Sequence, residues 1–529
     1  MSVNDDNKPQ RSSGRAGGRA ARKELRAAPL ADDIRPIRGG MTGGRYAPLT
    51  GADVLKIHNA ALQCLEEIGF GQAIPTCIEA CVKLGCTYGS DGRLRFPPAL
   101  VEDVVAKAAR HFTLFGQDPR HDMEPSGKRV YFATAGAAVH LVNLKTRNYD
   151  LSTLKDLYDA GRIVDTLDNI HLFQRCMVAR DMEDPRDLDV NTLYACVSAT
   201  AKHVGTSMVQ PEHVTECLDI LHAVAGSEDK WRARPFVSQS NCFVVPPMKF
   251  AEDACRCLET AVYGGMPMLL LSAGQAGATA PAAIAGAVVQ AVAEVLAGLV
   301  YVHALKPGHP CIFGTWPFVS DLRSGAMSGG SGEQALLTAA CAQMAHFYDL
   351  PGGSAAGMAD SKEPDIQAGY EKGITTVMAG LAGLNIIYES AGMHASLLGF
   401  SLESLIIDND ILGQSLRCVR GIEVNDETLS VEIIREVCIG GPGHYLGHRQ
   451  TLALMQRDYV YPVIGNRLSP KEWAEVGKPA ILDVATRKKE VLLETYFPRH
   501  VPEAVDDAIR ARHKIYLPKE AMGRGRGKN

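Results

Sequence analysis

Apolar positions in this chain repeat first at helical spacing and then, from residue 126 on, as short runs set far apart. In "LTGADVLKIHNAALQCLEEIGF", Val54, Ile57, Ala61, Leu65 and Ile68 share one helical face, Thr50 and Asp53 form a capping-box pair, and Gly69 ends the pattern. A second helix is predicted over "PPALVEDVVAKAARH". Residues 46–125 therefore read as a helical N-terminal region that closes on the turn-rich "GQDPRHDMEPSGKR". Eight apolar runs follow: "VYFATAG" (130–136), "IHLFQRCM" (170–177), "HVGTSMV" (203–209), "PFVSQSNCFV" (235–244), "PMLLLSAG" (267–274), "CIFGTWPF" (311–318), "LPGGSAAGM" (350–358) and "NIIYESAGM" (385–393). Room for a helix separates each from the next, with helical periodicity in "LKDLYDAGRIVDTL" and "PEHVTECLDILHAVAG".

Eight strand-helix units over residues 126–440 predict an α/β fold, a (β/α)8 TIM barrel, followed by a C-terminal helical extension over 441–515. The competing reading is a doubly wound open sheet, which lacks the G-x-G-x-x-G turn wanted at its switch point. Residues 1–45 and 516–529 read as basic tails: residues 1–38 carry nine Lys/Arg against five Asp/Glu, and 510–529 carry seven against one. Neither tail has the apolar stretch of a secretory signal. The most apolar segment, residues 281–305, is long enough to span a bilayer, but Gln290 and Glu294 interrupt it; a buried scaffold or subunit-interface helix is the expectation, with a homo-oligomer as one consequence.

A barrel directs attention to the C-terminal ends of its strands, where active sites of this fold lie. Polar residues gather there: His140, Asp181, Gln210, Ser240 and Asn241, Gln275, Asp321 and Arg323, Asp360 and Lys362, Glu389 and His394. The seventh and eighth runs are rich in Gly and Ala, which suggests close approach of a ligand or of protein to the backbone.

At 529 residues, 46% hydrophobic and 22% charged, the chain has the balance of a globular protein, and a net charge of −5 argues against general nucleic-acid binding. Fourteen scattered cysteines without a C-x-x-C pair suggest reduced thiols and a cytoplasmic location. Cys77, Cys81 and Cys86 cluster, as do Cys255 and Cys257, but without histidines at zinc spacing, so no metal is expected. His444 and His448, in "GGPGHYLGH", stand at i and i+4 and are read as packing and capping residues. The chain has no G-x-x-x-x-G-K-[ST], G-x-S-x-G or H-E-x-x-H, and no glycine-rich turn of the kind that binds S-adenosylmethionine.

The stretch "GTWPFVSDLRSGAMSGGSGEQALLTAACAQMAHFYDLPGGSAAGMADSKEPDIQAGYEKG", with "NCFVVPPMKF", "YESAGMHASLLGFSLESLIIDNDILG" and "GPGHYLGHRQTL", resembles the trimethylamine methyltransferase family over roughly residues 45 to 500. The resemblance implies a TIM barrel that moves a methyl group from a methylated amine to the cobalt of a separate corrinoid protein, so that cobalamin arrives on a partner and no cofactor is bound directly. Trimethylamine enzymes of the family carry pyrrolysine at the end of a barrel strand. This chain has none, and the equivalent position is placed within Ala356–Asp360, at Met358. Pyrrolysine-free relatives include glycine betaine:corrinoid methyltransferases, and the resemblance therefore favours a quaternary ammonium substrate.

A neutral tertiary amine is a poor methyl donor because it would have to leave as an amide anion, whereas a quaternary ammonium leaves as a neutral amine and needs mainly positioning. Aromatic faces hold such a cation at roughly 0.5 to 2 kcal/mol each. Trp316, Phe318 and Tyr388 are the candidates for this. Asp321, Asp360 and Glu389 offer charge balance, and Asn241, Arg323 and His394 offer donors to a betaine carboxylate. The expected catalytic set is Asp360, Lys362, Glu389 and Met358. Two other functions stay open: an aldolase or lyase with Lys362 as Schiff base, and an amine-binding or regulatory protein without turnover. Neither a nucleic acid nor a membrane is expected as a partner.

Overall fold

The computed structural model describes residues 35–134 and 136–524. The expected N-terminal tail lies outside the described residues as far as residue 34, and the C-terminal one from residue 525. Two compact units are present. The smaller comprises residues 35–36 and 423–461 and carries the helices Asp426–Leu429, Val431–Cys438 and Arg449–Arg457. Within it, His448 caps the last helix by accepting from Gln450 N at 3.1 Å, and His444 is exposed. The larger unit, residues 37–422 and 462–524, contains the barrel.

Eight parallel strands build it: β1 (Arg129–Phe132), β2 (Leu172–Gln174), β3 (His203–Thr206), β4 (Val237–Asn241), β5 (Met268–Ser272), β6 (Cys311–Thr315), β7 (Gly352–Ala355) and β8 (Ile386–Tyr388). Each pairs with its neighbour in chain order, and β8 returns to β1 through Ile386 opposite Tyr131. The β1–β2 seam is held by a parallel bridge from Ala133 to Leu172 and by His171 N donating to Phe132 O at 2.7 Å, which closes the sheet. A short strand, Met41–Thr42, pairs antiparallel with β1, so the chain is ordered into the barrel inside the stretch expected as tail.

The helices between strands are α1 (Leu154–Asp165), α2 (Pro185–Ala199), α3 (Pro211–Ala225), α4 (Glu252–Tyr263), α5 (Ile284–Leu305), α6 (Gly332–Phe347), α7 (Ile366–Ala382) and α8 (Leu402–Arg420). Local chemistry starts and stops them. Thr153 and Asp156 cap α1 reciprocally, Asp184 caps α2 ahead of Pro185, and Asp365 caps α7, which ends at Gly383 in the left-handed conformation.

The helix α5 is long and apolar enough to cross a membrane by length and composition, yet most of it is buried inside the protein. It lies on β5 and β6 and is covered by the helices Gly51–Gln63, Pro75–Leu84 and Pro98–Lys107, so both sides are apolar. Its one carboxyl, Glu294, accepts from Ser272 Oγ, Met248 N and Gln290 Nε2, and burial raises its pKa. The expected C-terminal tail is a correction over residues 516–524. Leu517 and Met522 are buried, and Arg524 pairs with buried Asp506, because this segment packs back on the helix Glu503–Arg512 instead of entering solvent.

Candidate active site

A cavity of about 600 Å3 opens at the C-terminal ends of the strands. Its wall comes from all but one of them. Gly136 follows β1, Gln174 and Arg175 end β2, and Ser207 and Met208 follow β3. Ser240, Asn241 and Cys242 end β4, Leu271 and Ala273 belong to the end of β5, Trp316 and Phe318 follow β6, and Glu389 follows β8. Only β7 is missing. The lining surface is mostly apolar, as is usual for a small-molecule site, with polar side chains at the ends of β2 and β4, after β3 and β8, and at the start of α4.

The aromatic corner is built by backbone pairing beyond the barrel. Trp316 N donates to Ser272 O and Phe318 N to Gly274 O, both at 2.9 Å, so the chain after β6 continues beside the chain after β5. The two rings meet edge to face, with centroids 6.4 Å apart and planes at 86°. Tyr388 lies behind, its ring 5.1 Å from that of Trp316.

Glu389 is the buried carboxyl of the cavity. Its backbone is left-handed, φ 62°, a conformation uncommon for a non-glycine residue and one that turns the side chain inward at the strand end. One oxygen accepts from Gly136 N at 3.0 Å; Oε2 is buried without a hydrogen-bond partner. Burial dominates over that single hydrogen bond and raises its pKa to about 8. The free carboxyl is thus held protonated at neutral pH, and a cation placed beside it would draw it into its charged form.

A tip of chain covers the site. After β8 the strands Met393–His394 and Gly399–Phe400 form a hairpin whose turn residues Ala395, Ser396 and Leu397 all have positive φ, and Leu397 lines the cavity. The geometry is that of a binding pocket with one buried carboxyl, Glu389, two exposed ones, Glu252 and Asp253, and two aromatic faces at the mouth of a barrel. Comparison with known sequences adds the decisive observation: the pattern of the family described as trimethylamine methyltransferase (MTTB) matches residues 15–516.

The chain belongs to this family. It is 32% identical over 451 residues to trimethylamine methyltransferase MttB of Methanosarcina barkeri, a match covering 84% of this chain and 90% of the relative. It is 29% identical over 470 residues to trimethylamine methyltransferase MttB of Desulfitobacterium hafniense, covering 89% and 94%. A glycine betaine methyltransferase of Desulfitobacterium hafniense is 28% identical over 479 residues, covering 89% and 97%. As a member of the trimethylamine methyltransferase family the protein is an enzyme, a methyltransferase of the corrinoid-dependent methylamine and betaine type.

Of the residues expected at the site of this methyltransferase, Trp316, Phe318, Asn241 and Glu389 line the cavity, and Tyr388 stands in the layer behind Trp316. The others lie elsewhere. Met358 is buried against Gly329, outside the cavity wall. Asp360 accepts from Ser328 Oγ at 2.7 Å, Gly329 N at 2.6 Å and Ser396 Oγ, which fastens the hairpin tip that carries Leu397. Lys362 is exposed, donates to Asp360 O at 2.8 Å and does not line the cavity, so it lacks the desolvated setting a Schiff-base lysine needs. Arg323 is 91% exposed in its side chain and pairs with Asp321 in a turn beside a second, smaller hollow. His394 is buried in the first strand of the hairpin with Nε2 2.7 Å from Ser404 Oγ, and burial together with nearby Lys372 lowers its pKa. Among the described residues no group of three or more His, Cys, Asp or Glu is arranged to hold a metal ion.

Sequence reasoning missed Gln174, Arg175, Ser207, Cys242 and Leu397. The first two sit inside "IHLFQRCM": the strand stops at Gln174, earlier than the apolar run, so its functional end is in mid-run and not at Asp181. Asp181 instead accepts from Leu154 N and helps to start α1.

Proposed function

We propose that this enzyme takes a methyl group from a quaternary amine, glycine betaine or a related betaine, and passes it without pyrrolysine to Co(I) of a corrinoid partner protein. The observation that carries the reading is the pairing of Trp316 and Phe318 with Glu389 in one largely apolar cavity. The corrinoid is the second substrate, the methyl acceptor. Cobalt(I) supplies the electron pair that forms the Co–C bond; the C–N bond breaks with its pair retained on nitrogen; cobalt becomes methyl-Co(III) and a neutral tertiary amine leaves. No proton is transferred.

The chain's own residues bind and orient. The substrate's positive charge disappears in the transition state, so strong charge stabilisation of the bound ground state would raise the barrier. Aromatic faces, each contributing roughly 0.5 to 2 kcal/mol, hold the ammonium gently. Glu389, with a pKa near neutrality, adds a charge that the substrate itself must call up. The apolar wall of Leu271, Ala273 and Leu397 keeps water from the reacting methyl group.

The test mixes purified protein with Co(I) cobalamin and a panel of amines and follows the cobalamin spectrum. Methylcobalamin is expected from glycine betaine or a related betaine, not appreciably from trimethylamine, and S-adenosylmethionine should be neither needed nor consumed. Silence across all quaternary amines, with a corrinoid partner present, would favour an amine-binding protein without turnover.

A further inference from the structure

The cavity is lined by an arginine that the proposed chemistry at the ammonium does not use. Arg175 follows the last residue of β2 and lines the cavity. Its Nε is buried and has no hydrogen-bond partner, and its side chain makes no ion pair among the described residues. The nearby buried carboxylate, Asp189, is already engaged: it accepts from Val209 N at 2.8 Å and faces His213 Nδ1 at 2.7 Å. A partly buried arginine without a counter-charge is costly to keep, and burial works against its charge. Around it the wall turns polar, with Gln174, Ser207, Ser240 and Asn241 on the ends of β2, β3 and β4, while Asn241 Oδ1 is likewise buried without a partner. The aromatic faces and Glu389 come instead from β6 and β8. The same wall therefore carries Arg175 beside uncharged polar groups, the aromatic faces, and the carboxyls of Glu389, Glu252 and Asp253.

We propose that Arg175 binds the carboxylate of the methyl donor, making it the residue that selects a zwitterionic betaine over an amine carrying positive charge alone. The inference rests on the quaternary-amine reading and gives it a second anchor. A planar guanidinium matches a carboxylate with two parallel hydrogen bonds, which fixes the direction of the bound molecule as well as its affinity. With the carboxylate held at β2, the ammonium of a short betaine is left to the aromatic side.

Calorimetric titration of the full chain with glycine betaine, glycine betaine methyl ester and choline tests this. The wild type should bind glycine betaine at least about 10-fold more tightly than either compound lacking the carboxylate. Arg175→Gln should weaken glycine betaine by about 10- to 100-fold and leave choline within about 3-fold, and Arg175→Lys should recover part of the loss. Equal affinity of the wild type for the acid and its ester overturns the assignment even if no variant folds. An equal fall for glycine betaine and choline in a folded Arg175→Gln would make Arg175 a structural residue. If the wild type binds choline but discriminates against glycine betaine, the carboxylate site fails while the quaternary-amine reading stands; if it binds no quaternary amine, both fail.

Discussion

Glu389 joins an uncommon backbone conformation to a buried carboxyl in the cavity wall. Its left-handed φ turns the carboxyl into the cavity, and burial raises its pKa to about 8 from an ordinary 4.5. In the unfolded chain this carboxyl ionises in the ordinary range, while the ligand-free folded protein keeps it protonated until about pH 8. The folded state therefore binds more protons across that window, and its stability falls as pH rises from the ordinary carboxylate range towards 8, then levels off. Glu389→Gln should remove this loss, leaving a protein of similar stability near pH 4.5 but more stable at pH 8, by an amount on the order of 1 to several kcal/mol, measured by denaturant unfolding. Binding of a quaternary amine runs the other way. It should strengthen with pH up to about 8 in the wild type, as the cation draws Glu389 into its charged form, and be weaker and pH-independent in the variant. Parallel pH profiles for both proteins would show that Glu389 does not face the bound cation.

At the scale of elements, the eight barrel strands were legible because each is a short apolar run bounded by glycine, proline or polar residues and followed by room for a helix. Their ends were less so. Strands of three to five residues stop before the apolar run does. Residues at those true ends, such as Asn241 and Glu389, reach the cavity. Arg323, Lys362 and His394 lie further along, where the chain has already turned into loops and hairpins. The small residues of "LPGGSAAGM" have a different reason from ligand access: a Cβ on Gly353 would stand 2.7 Å from Ile312 Cγ2 and 2.9 Å from Tyr388 Cε2, so the missing side chain makes room for the tyrosine that backs Trp316. Asp360 similarly reads as charge in the sequence and as a strut in the fold. Asp360→Ala should release the 393–400 hairpin, lowering global stability by about 1 to 3 kcal/mol and speeding amide exchange at Ala395 and Ser396, which donate to Ser361 O and Ala359 O. Unchanged exchange there, with methyl transfer abolished, would return Asp360 to the chemistry.

The whole molecule places an aromatic-lined pocket with a buried carboxyl at the mouth of a closed barrel, with a helical N-terminal region packed against α5 on its flank. That division of labour was readable from pattern alone, since helical periodicity gives way to repeated strand-helix units near residue 126. Which charged groups meet in the pocket was not, because it depends on residues from seven strand ends meeting in space. The central claim, that a quaternary amine gives its methyl group directly to cobalt, is tested most directly by labelling glycine betaine isotopically in its N-methyl groups and following both products in one incubation with Co(I) corrinoid protein. The account predicts labelled methylcobalamin and dimethylglycine in equal amounts, formed without S-adenosylmethionine. Demethylated product without label on cobalt, or no product at all from any betaine, would contradict it.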